Sequence, residues 1–309
     1  MKVNILMSTY NGEQFLAEQI HSIQEQTYTD WQLLIRDDGS MDKTPEIIAK
    51  FVATDRRIFW INEQDRTNLG VINSFHTLLN YETADVYFFS DQDDVWLPDK
   101  LEVSLKEAEQ YSVDEPLMIY MDLKVVDQEL NILSNSMIRS QSHHANTELV
   151  QELTENTVTG GVSMINHSLA LLWQQTEGIL MHDWYLALLA SAFGNLVYID
   201  QPGELYRQHG NNVLGARTLS KRVKKWLQPS LLFELYWKLI KNSQQQAAFL
   251  LDMPLSSSKR EMINAFVTIM DKGFLERKRV LKQYGFRKNK AFHTFVFTTL
   301  ILTKFAYKE

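Results

Sequence analysis

Short runs of β-branched and aromatic residues alternate with amphipathic segments through the first half of the chain. Four of these runs have the composition and length of buried strands: VNILMST, WQLLIR, RIFWIN and DVYFF. Between the first two runs, apolar residues at Phe15, Ile20 and Ile23 follow helical spacing. Strands that alternate with helices predict an α/β fold with a mostly parallel sheet flanked by helices.

Polar turns follow three of the predicted strands. The first strand leads into STYNG, the second into RDDGS and the fourth into DQDD. Ligands of open α/β sheets bind in the crevice at the carboxyl ends of the strands. We therefore expect these three turns to converge on one site.

The second half of the chain changes character twice. LMIYMDLKVVD predicts another strand, residues 131–156 form a polar, loop-rich insertion, and NLVYID predicts a final strand before a loop. From about Leu219 onward the pattern is helical. The sequence therefore predicts a catalytic α/β domain over residues 1–216 and a basic helical region over residues 217–309.

The charge is divided along the same boundary. The chain carries a net charge of −7. Residues 1–216 have 12 basic and 32 acidic residues, a net charge of −20, whereas residues 217–309 have 19 and 6, a net charge of +13. The basic region is expected to seek an anionic surface, and the acidic first part opposes nucleic acid as that partner.

The composition narrows the cellular setting. The chain has no cysteine, which excludes disulfides and cysteine zinc sites and fits a reducing compartment. The start, MKVNILMSTYNG, lacks the apolar stretch and cleavage site of a signal peptide. We expect a protein that stays inside the cell.

The stretch SDQDDVW is the first candidate for chemistry. It places Asp91, Asp93 and Asp94 directly after an apolar strand, where they repel one another. The alternatives are a solvated acidic loop and a site for Mg²⁺ or Mn²⁺, which bind through one or two carboxylates and substrate phosphates. A D-x-D pair alone is common, but its place at a strand end favours the metal.

RDDGS is the second candidate. Asp37 and Asp38 either cap a turn or accept hydrogen bonds from a nucleotide. The chain contains neither the G-x-G-x-x-G loop of dinucleotide binders nor a P-loop. A dehydrogenase is therefore disfavoured, although a nucleotidyltransferase on a related fold stays an alternative.

Two later stretches, MHDWYLALL and YRQHGNN, carry the remaining candidates. Asp183 either compensates the dipole at a helix start or acts as a general base. Arg207 offers paired hydrogen bonds to phosphate, and His209 can ligate a metal or neutralise a leaving group. The alternative for both is an ordinary surface loop.

Taken in order, these motifs resemble those of the inverting GT-A (Rossmann-like) glycosyltransferases of family 2. The motifs are STYNG, RDDGS, NLGVINSF, SDQDDVW, TGG, HDW and YRQHG, and they cover about residues 1–215. The chain is most similar to the bacterial rhamnosyltransferases that build cell-wall polysaccharides. Rhamnose follows from the DQDDVW and HDW variants alone.

The resemblance implies a role for each matching residue. By this resemblance, the nucleotide sugar would be bound by Thr9, Tyr10, Asp38, Asp91 and Arg207. The metal would be bound by Asp91, Asp93 and His209. Gly160 and Gly161 would shape the acceptor site, and Asp183 would be the catalytic base. Asp94 and His182 receive no role, the latter because the family more often has Glu at that position.

The implied reaction moves L-rhamnose from dTDP-β-L-rhamnose to a hydroxyl of a lipid-linked saccharide acceptor, with Mn²⁺ or Mg²⁺ as cofactor. Such an enzyme would lie in the cytoplasm, peripheral on the inner face of the cell membrane. The alternatives are a family 2 enzyme that uses another UDP- or dTDP-sugar, and a non-catalytic protein that binds a nucleotide sugar.

The basic region leaves three interpretations open. KRVKKWLQPSLLFELYWKLIK interleaves Lys and Arg with large apolar residues, as in an interfacial amphipathic helix. It could equally pack on the catalytic domain or form a homodimer surface. The apolar run at 291–303 is too short to span a bilayer.

Overall fold

A mixed β-sheet flanked by helices forms the body of the protein. The computed structural model describes residues 1–208 and 229–307. The strands of this part are β1 (Val3–Thr9), β2 (Gln32–Asp37), β3 (Ile58–Trp60), β4 (Val86–Ser90), β5 (Val95–Trp96), β6 (Leu117–Val126), β7 (Ile132–Ser134), β8 (Ser163–Asn166) and β9 (Asn195–Arg207). The strands predicted at the four N-terminal runs are all present.

Helices cover both faces of the sheet. Those of the first 208 residues are α1 (Leu16–Gln24), α2 (Thr44–Thr54), α3 (Val71–Leu79), α4 (Lys100–Ala108), α5 (Leu149–Glu152), α6 (His167–Ala170) and α7 (His182–Phe193). Those that follow are α8 (Pro229–Ala248), α9 (Ser257–Val267), α10 (Phe274–Tyr284) and α11 (Ala291–Thr303). The expected α/β fold is confirmed.

The strand order places the polar turns at one edge of the sheet. The order is β3-β2-β1-β4-β8-β6-β9-β5, with β7 paired to β6. The first four strands are parallel, and Thr9 of β1 lies opposite Asp37 of β2. The rest is mixed, since β8 runs antiparallel to both neighbours while β6 and β9 are parallel. The carboxyl ends of β1, β2 and β4 therefore meet, as the turns predicted.

Alternation along β1 divides the core between the two faces. Val3, Ile5 and Met7 pack in one buried cluster with Ile20 of α1. Leu6, on the opposite face, belongs to a larger cluster with residues of α3 and α7. Apolar helices therefore cover both faces of the sheet whose edge carries the polar turns.

The C-terminal helices pack on the N-terminal α/β part of the chain. Trp237, Phe266 and Ile301 lie in the same apolar cluster as Leu188 of α7. Ser243 Oγ also donates to the Leu153 carbonyl at 2.6 Å. Residues 229–307 therefore pack on the rest of the chain, and binding of this region to a membrane or to a second copy stays a prediction. The predicted boundary at residue 216 and the basic cluster at 221–226 lie outside the described residues.

No helix within residues 1–208 and 229–307 combines the length and the apolar character needed to cross a bilayer.

Candidate functional site

The side-chain amide of Gln92 joins the turns after β1 and β4. Its Oε1 accepts the Tyr10 backbone N–H at 2.8 Å, and its Nε2 donates to the Tyr10 carbonyl at 3.0 Å. Tyr10 is 48% exposed, and its contact with a nucleotide stays a prediction. Thr9 is fully buried instead, and its Oγ1 donates to Asp37 Oδ1 at 3.1 Å. Contact between Thr9 and a nucleotide stays a prediction.

Asp38 is held tightly by the loop that precedes α3. Its carboxylate accepts hydrogen bonds from Arg36 at 2.5 Å and from the backbone N–H groups of Leu69 and Gly70 at 2.7 and 2.9 Å. The side chain is buried. This arrangement orders the crevice wall, and the predicted contact between Asp38 and a nucleobase stays a prediction.

Asp94 and Glu204 bring two buried carboxylates beneath the crevice. Asp94 Oδ1 accepts the Arg207 backbone N–H at 2.8 Å, and Glu204 Oε2 lies 3.2 Å from Lys100 Nζ. Their second oxygens, Asp94 Oδ2 and Glu204 Oε1, have no hydrogen-bond partner among the described residues. Two buried acceptors thus retain capacity for a cation or a proton.

The acidic cluster consists of Asp91, Asp93, Asp94, Asp183 and Glu204. Burial, together with the charges of Asp93, Glu204 and Asp183, raises the pKa of Asp91 to about 8. Burial and the same neighbours also raise the pKa of Asp94 well above its ordinary value. Five carboxylates thus crowd around one cation, Lys100, and their mutual repulsion opposes ionisation of all five at once.

The TGG turn closes the cluster from one side. A Cβ on Gly161 would lie 2.9 Å from Glu204 Oε1 and 3.2 Å from Asp91 Oδ2, and one on Gly160 would lie 3.0 Å from His182 Nε2. Lys100 Nζ donates to the Gly161 carbonyl. The backbone can approach these side chains only because both positions are glycine.

Asp183 stands at the start of α7, against this turn. Its Oδ1 accepts the Trp184 backbone N–H at 2.6 Å, and the Gly160 backbone also donates to the carboxylate. Burial raises its pKa to about 6, although the backbone hydrogen bonds oppose the rise. A carboxylate with a pKa near the working pH is suited to general-base catalysis.

His182 is a core residue in this structure. The centre of its ring lies 4.5 Å from the centre of the Phe75 ring and 5.1 Å from that of Phe89. Neither ring nitrogen has a hydrogen-bond partner within the described parts of the chain. Burial lowers its pKa to about 3, so the ring is neutral at physiological pH. Its contribution is to pack beneath Gly160.

Arg207 covers the acidic turn from its flank. Its Nη2 lies 2.5 Å from Glu18 Oε2. Its Nε donates to the Asp93 carbonyl at 2.9 Å, and its Nη1 donates to the Gln128 carbonyl. It also lies 4.4 Å from the centre of the Phe15 ring. The Arg207 side chain is buried by these contacts. Its contact with a diphosphate stays a prediction. His209 lies outside the described residues.

The structure adds Lys100, Glu204 and Gln92 to the predicted residues. Glu204 and Lys100 are both fully buried, in the stretches GELY and LPDKL. A charged residue inside an apolar strand or at a helix start is the signal that could have identified them, since such groups are buried only when paired.

Comparison with known proteins identifies the family of the chain. Residues 4–172 match the model of glycosyl transferase family 2. The chain is 30% identical to dTDP-rhamnosyl transferase RfbG of Shigella flexneri over 72% of this chain and 78% of that protein. It is 36% identical to the Escherichia coli UDP-Glc:alpha-D-GlcNAc-diphosphoundecaprenol beta-1,3-glucosyltransferase WfgD over 33% of this chain and 39% of that one.

Solved structures share the fold at low identity. Staphylococcus aureus TarS 1–349 in complex with UDP-GlcNAc has a TM-score of 0.60 at 13% identity and covers 99% of this chain, with 83% of its own length matched. The mannosyltransferase PcManGT from Pyrobaculum calidifontis, in complex with GDP-Man and Mn²⁺, has a TM-score of 0.58 at 14% identity over 92% of this chain and 72% of that one. The expected GT-A architecture is confirmed. On this fold and these matches, the chain belongs to glycosyl transferase family 2.

Proposed function

We propose that the chain transfers L-rhamnose from dTDP-β-L-rhamnose to a hydroxyl of a lipid-linked saccharide, with inversion at the anomeric carbon. The observation that carries this proposal is the placement of Asp183, with a pKa of about 6, against the glycine turn that also contacts Asp91. The proposed general base, Asp183, and the proposed nucleotide-binding residue, Asp91, thus lie at the same crevice.

In the proposed reaction, the Asp183 carboxylate takes the proton of the acceptor hydroxyl. The oxygen of that hydroxyl forms a bond to the anomeric carbon while the bond from this carbon to the diphosphate oxygen breaks. The electron pair of the broken bond leaves with the nucleoside diphosphate. A single displacement of this kind inverts the anomeric centre, so a β-L-rhamnosyl donor gives an α-L-rhamnoside.

The residues at the acidic turn fit a divalent cation. Asp91 and Asp93 would hold it, because the cluster has five carboxylates against the one cation Lys100 and retains unpartnered carboxylate oxygens on Asp94 and Glu204. Within the described residues no group of three His, Asp or Glu side chains is arranged to hold a metal. Mg²⁺ and Mn²⁺ commonly share their shell with substrate phosphates, and a bound ion would neutralise charge on the leaving diphosphate.

The donor and acceptor assignments are supported by relatives. RfbG is named as a dTDP-rhamnosyl transferase and aligns over most of both chains, which favours dTDP-rhamnose here. WfgD is named as a UDP-Glc enzyme that acts on a diphosphoundecaprenol-linked sugar, which supports a lipid-linked acceptor. It also keeps other UDP- or dTDP-sugars as the alternative donors. We place the protein on the inner face of the cell membrane, where such an acceptor would be met.

A donor panel tests the proposal. The full chain is incubated with a synthetic lipid-linked acceptor and Mn²⁺ or Mg²⁺, with dTDP-rhamnose, UDP-glucose, UDP-galactose or UDP-GlcNAc as donor. We expect acceptor-dependent release of dTDP from dTDP-rhamnose and an α-linked product. Turnover of one UDP-sugar instead would replace the donor, and binding of a donor without transfer to any acceptor would indicate a non-catalytic protein.

A further inference from the structure

Helix α11 exposes a face without charge. No residue from Ala291 to Thr303 is acidic, Lys or Arg, although the positions exposed to solvent recur at Phe292, Phe295, Thr299 and Thr303, one face of a helix. Phe292 is 53% exposed and Phe295 68%. The solvent side of a surface helix ordinarily carries charged residues, so this face is unusual for contact with water alone.

Basic residues surround the start of this helix. Residues 274–290 contain seven Lys or Arg and one Glu. A groove of about 1010 Å³ separates the α10–α11 turn from the loop-rich insertion, and its lining includes Tyr284, Arg287, Lys288, Phe295 and Gln151. Exposed aromatic and cationic groups therefore meet at one place on the surface.

This surface is bonded to the segment that supports the catalytic base. Thr154 Oγ1 donates to the Arg287 carbonyl at 2.6 Å. In the same insertion, the Glu152 carbonyl accepts the indole N–H of Trp184 at 2.8 Å. Trp184 follows Asp183 directly, so a short run of backbone links the basic surface to the crevice.

We propose that the uncharged face of α11 and the basic groove beside it bind an anionic phospholipid leaflet. Phe292 and Phe295 enter the boundary between headgroups and acyl chains, while Arg287 and Lys290 lie among the lipid phosphates. The helix lies on the leaflet, since 13 residues are too few to cross it.

Charge argues against a second copy of the chain as the occupant. In a two-fold interface the same basic surface would face itself, and like charges would oppose association. The acidic catalytic part likewise opposes nucleic acid. Membrane binding by this surface does not depend on the donor; its use in meeting a lipid-linked acceptor rests on the proposed function.

Vesicle flotation tests the proposal with the full chain. Vesicles of phosphatidylcholine alone are compared with vesicles of equal parts phosphatidylglycerol and phosphatidylcholine. We expect the protein to float with the anionic vesicles only. Phe292→Ser with Phe295→Ser, or Arg287→Glu with Lys290→Glu, should each reduce the bound fraction about tenfold.

Matched variants test whether loss of any exposed apolar side chain, or reversal of any exposed positive charge, would reduce flotation. Tyr81→Ser with Val113→Ser removes two other exposed apolar side chains, and Lys50→Glu with Arg56→Glu reverses two other exposed charges. Both should float as the unchanged protein does. Circular dichroism checks that every variant is folded, and dTDP release with a water-soluble acceptor should be equal in all of them.

Three results would overturn the proposal. One is flotation with neutral vesicles to the same extent, or with neither kind. Another is unchanged flotation of both test variants. The third is a shift from dimer to monomer in analytical ultracentrifugation when Phe292 and Phe295 are replaced, which would make the face a dimer interface. None of these depends on whether sugar transfer occurs.

Discussion

The ammonium group of Lys100 lies 3.2 Å from Oε2 of Glu204, and both side chains are fully buried beneath the TGG turn. Lys100 also donates to the Gly161 carbonyl and lies 3.6 Å from the centre of the Trp96 ring. One cation thus joins α4, β9 and the glycine turn. It also supplies positive charge inside a cluster of five carboxylates.

Replacement of Lys100 should damage both stability and the site. Lys100→Met leaves Glu204 buried without its partner, and loss of one member of a buried ion pair costs about 3–5 kcal/mol. We expect a decrease of that size in the free energy of unfolding in urea. Lys2→Met, which breaks the exposed pair with Glu82, should cost less than about 1 kcal/mol. Equal costs for the two variants would contradict this role for Lys100.

Asp183 should control the acidic limb of the pH–activity profile. Its pKa is about 6, and only the deprotonated carboxylate can accept the proton of the acceptor hydroxyl. We therefore expect kcat/KM to be constant above this pH and to fall about tenfold per unit below it. The profile is measured with saturating divalent cation.

Asp183→Asn should lower kcat about 10²–10⁴-fold, because the amide cannot act as a base. Asp114→Asn, an exposed change in the turn before β6, is the matched control and should keep full activity. An Asp183→Asn variant with full activity and an unchanged acidic limb would exclude this residue as the base.

Gly161 should tolerate no side chain. In Gly161→Ala the new Cβ would lie 2.9 Å from Glu204 and 3.2 Å from Asp91. Accommodating such contacts costs about 1–3 kcal/mol, and the displaced carboxylates should lower kcat/KM. Gly273→Ala, where the nearest atom is 3.9 Å away, should leave kcat/KM unchanged. Full activity of Gly161→Ala would show that the turn does not determine the position of the acidic cluster.

Removal of one carboxylate should separate metal binding from folding. Asp91→Asn relieves repulsion from Asp93, Glu204 and Asp183, so the metal-free variant should be at least as heat-stable as the unchanged protein. Mn²⁺ should raise the melting temperature of the unchanged protein, since a ligand that binds the folded state stabilises it. The Mn²⁺-induced increase should be much smaller for the variant. An undiminished increase would place the cation elsewhere.

Local patterns in the sequence were enough to predict the sheet, its first four strands and the edge at which the polar turns meet. Strand composition, helical spacing and polar turns are short-range signals, so STYNG, RDDGS and DQDD could be located without any contact information. The same turns and Asp183 also indicated the family. In contrast, the pairing of Asp94 with the Arg207 backbone joins residues 113 positions apart, which no local pattern reports.

The tertiary structure alone decided which charges share the site. Lys100 and Glu204 occur 104 residues apart, and their pairing depends on β9 lying beside β5. Burial, which the sequence does not state residue by residue, raises the pKa of Asp183 to about 6 and keeps His182 neutral. The sequence by itself determined the α/β fold, the family motifs and the basic character of the C-terminal region. Only the tertiary structure showed that this region packs against α7, because its apolar contacts join segments that are distant in the sequence.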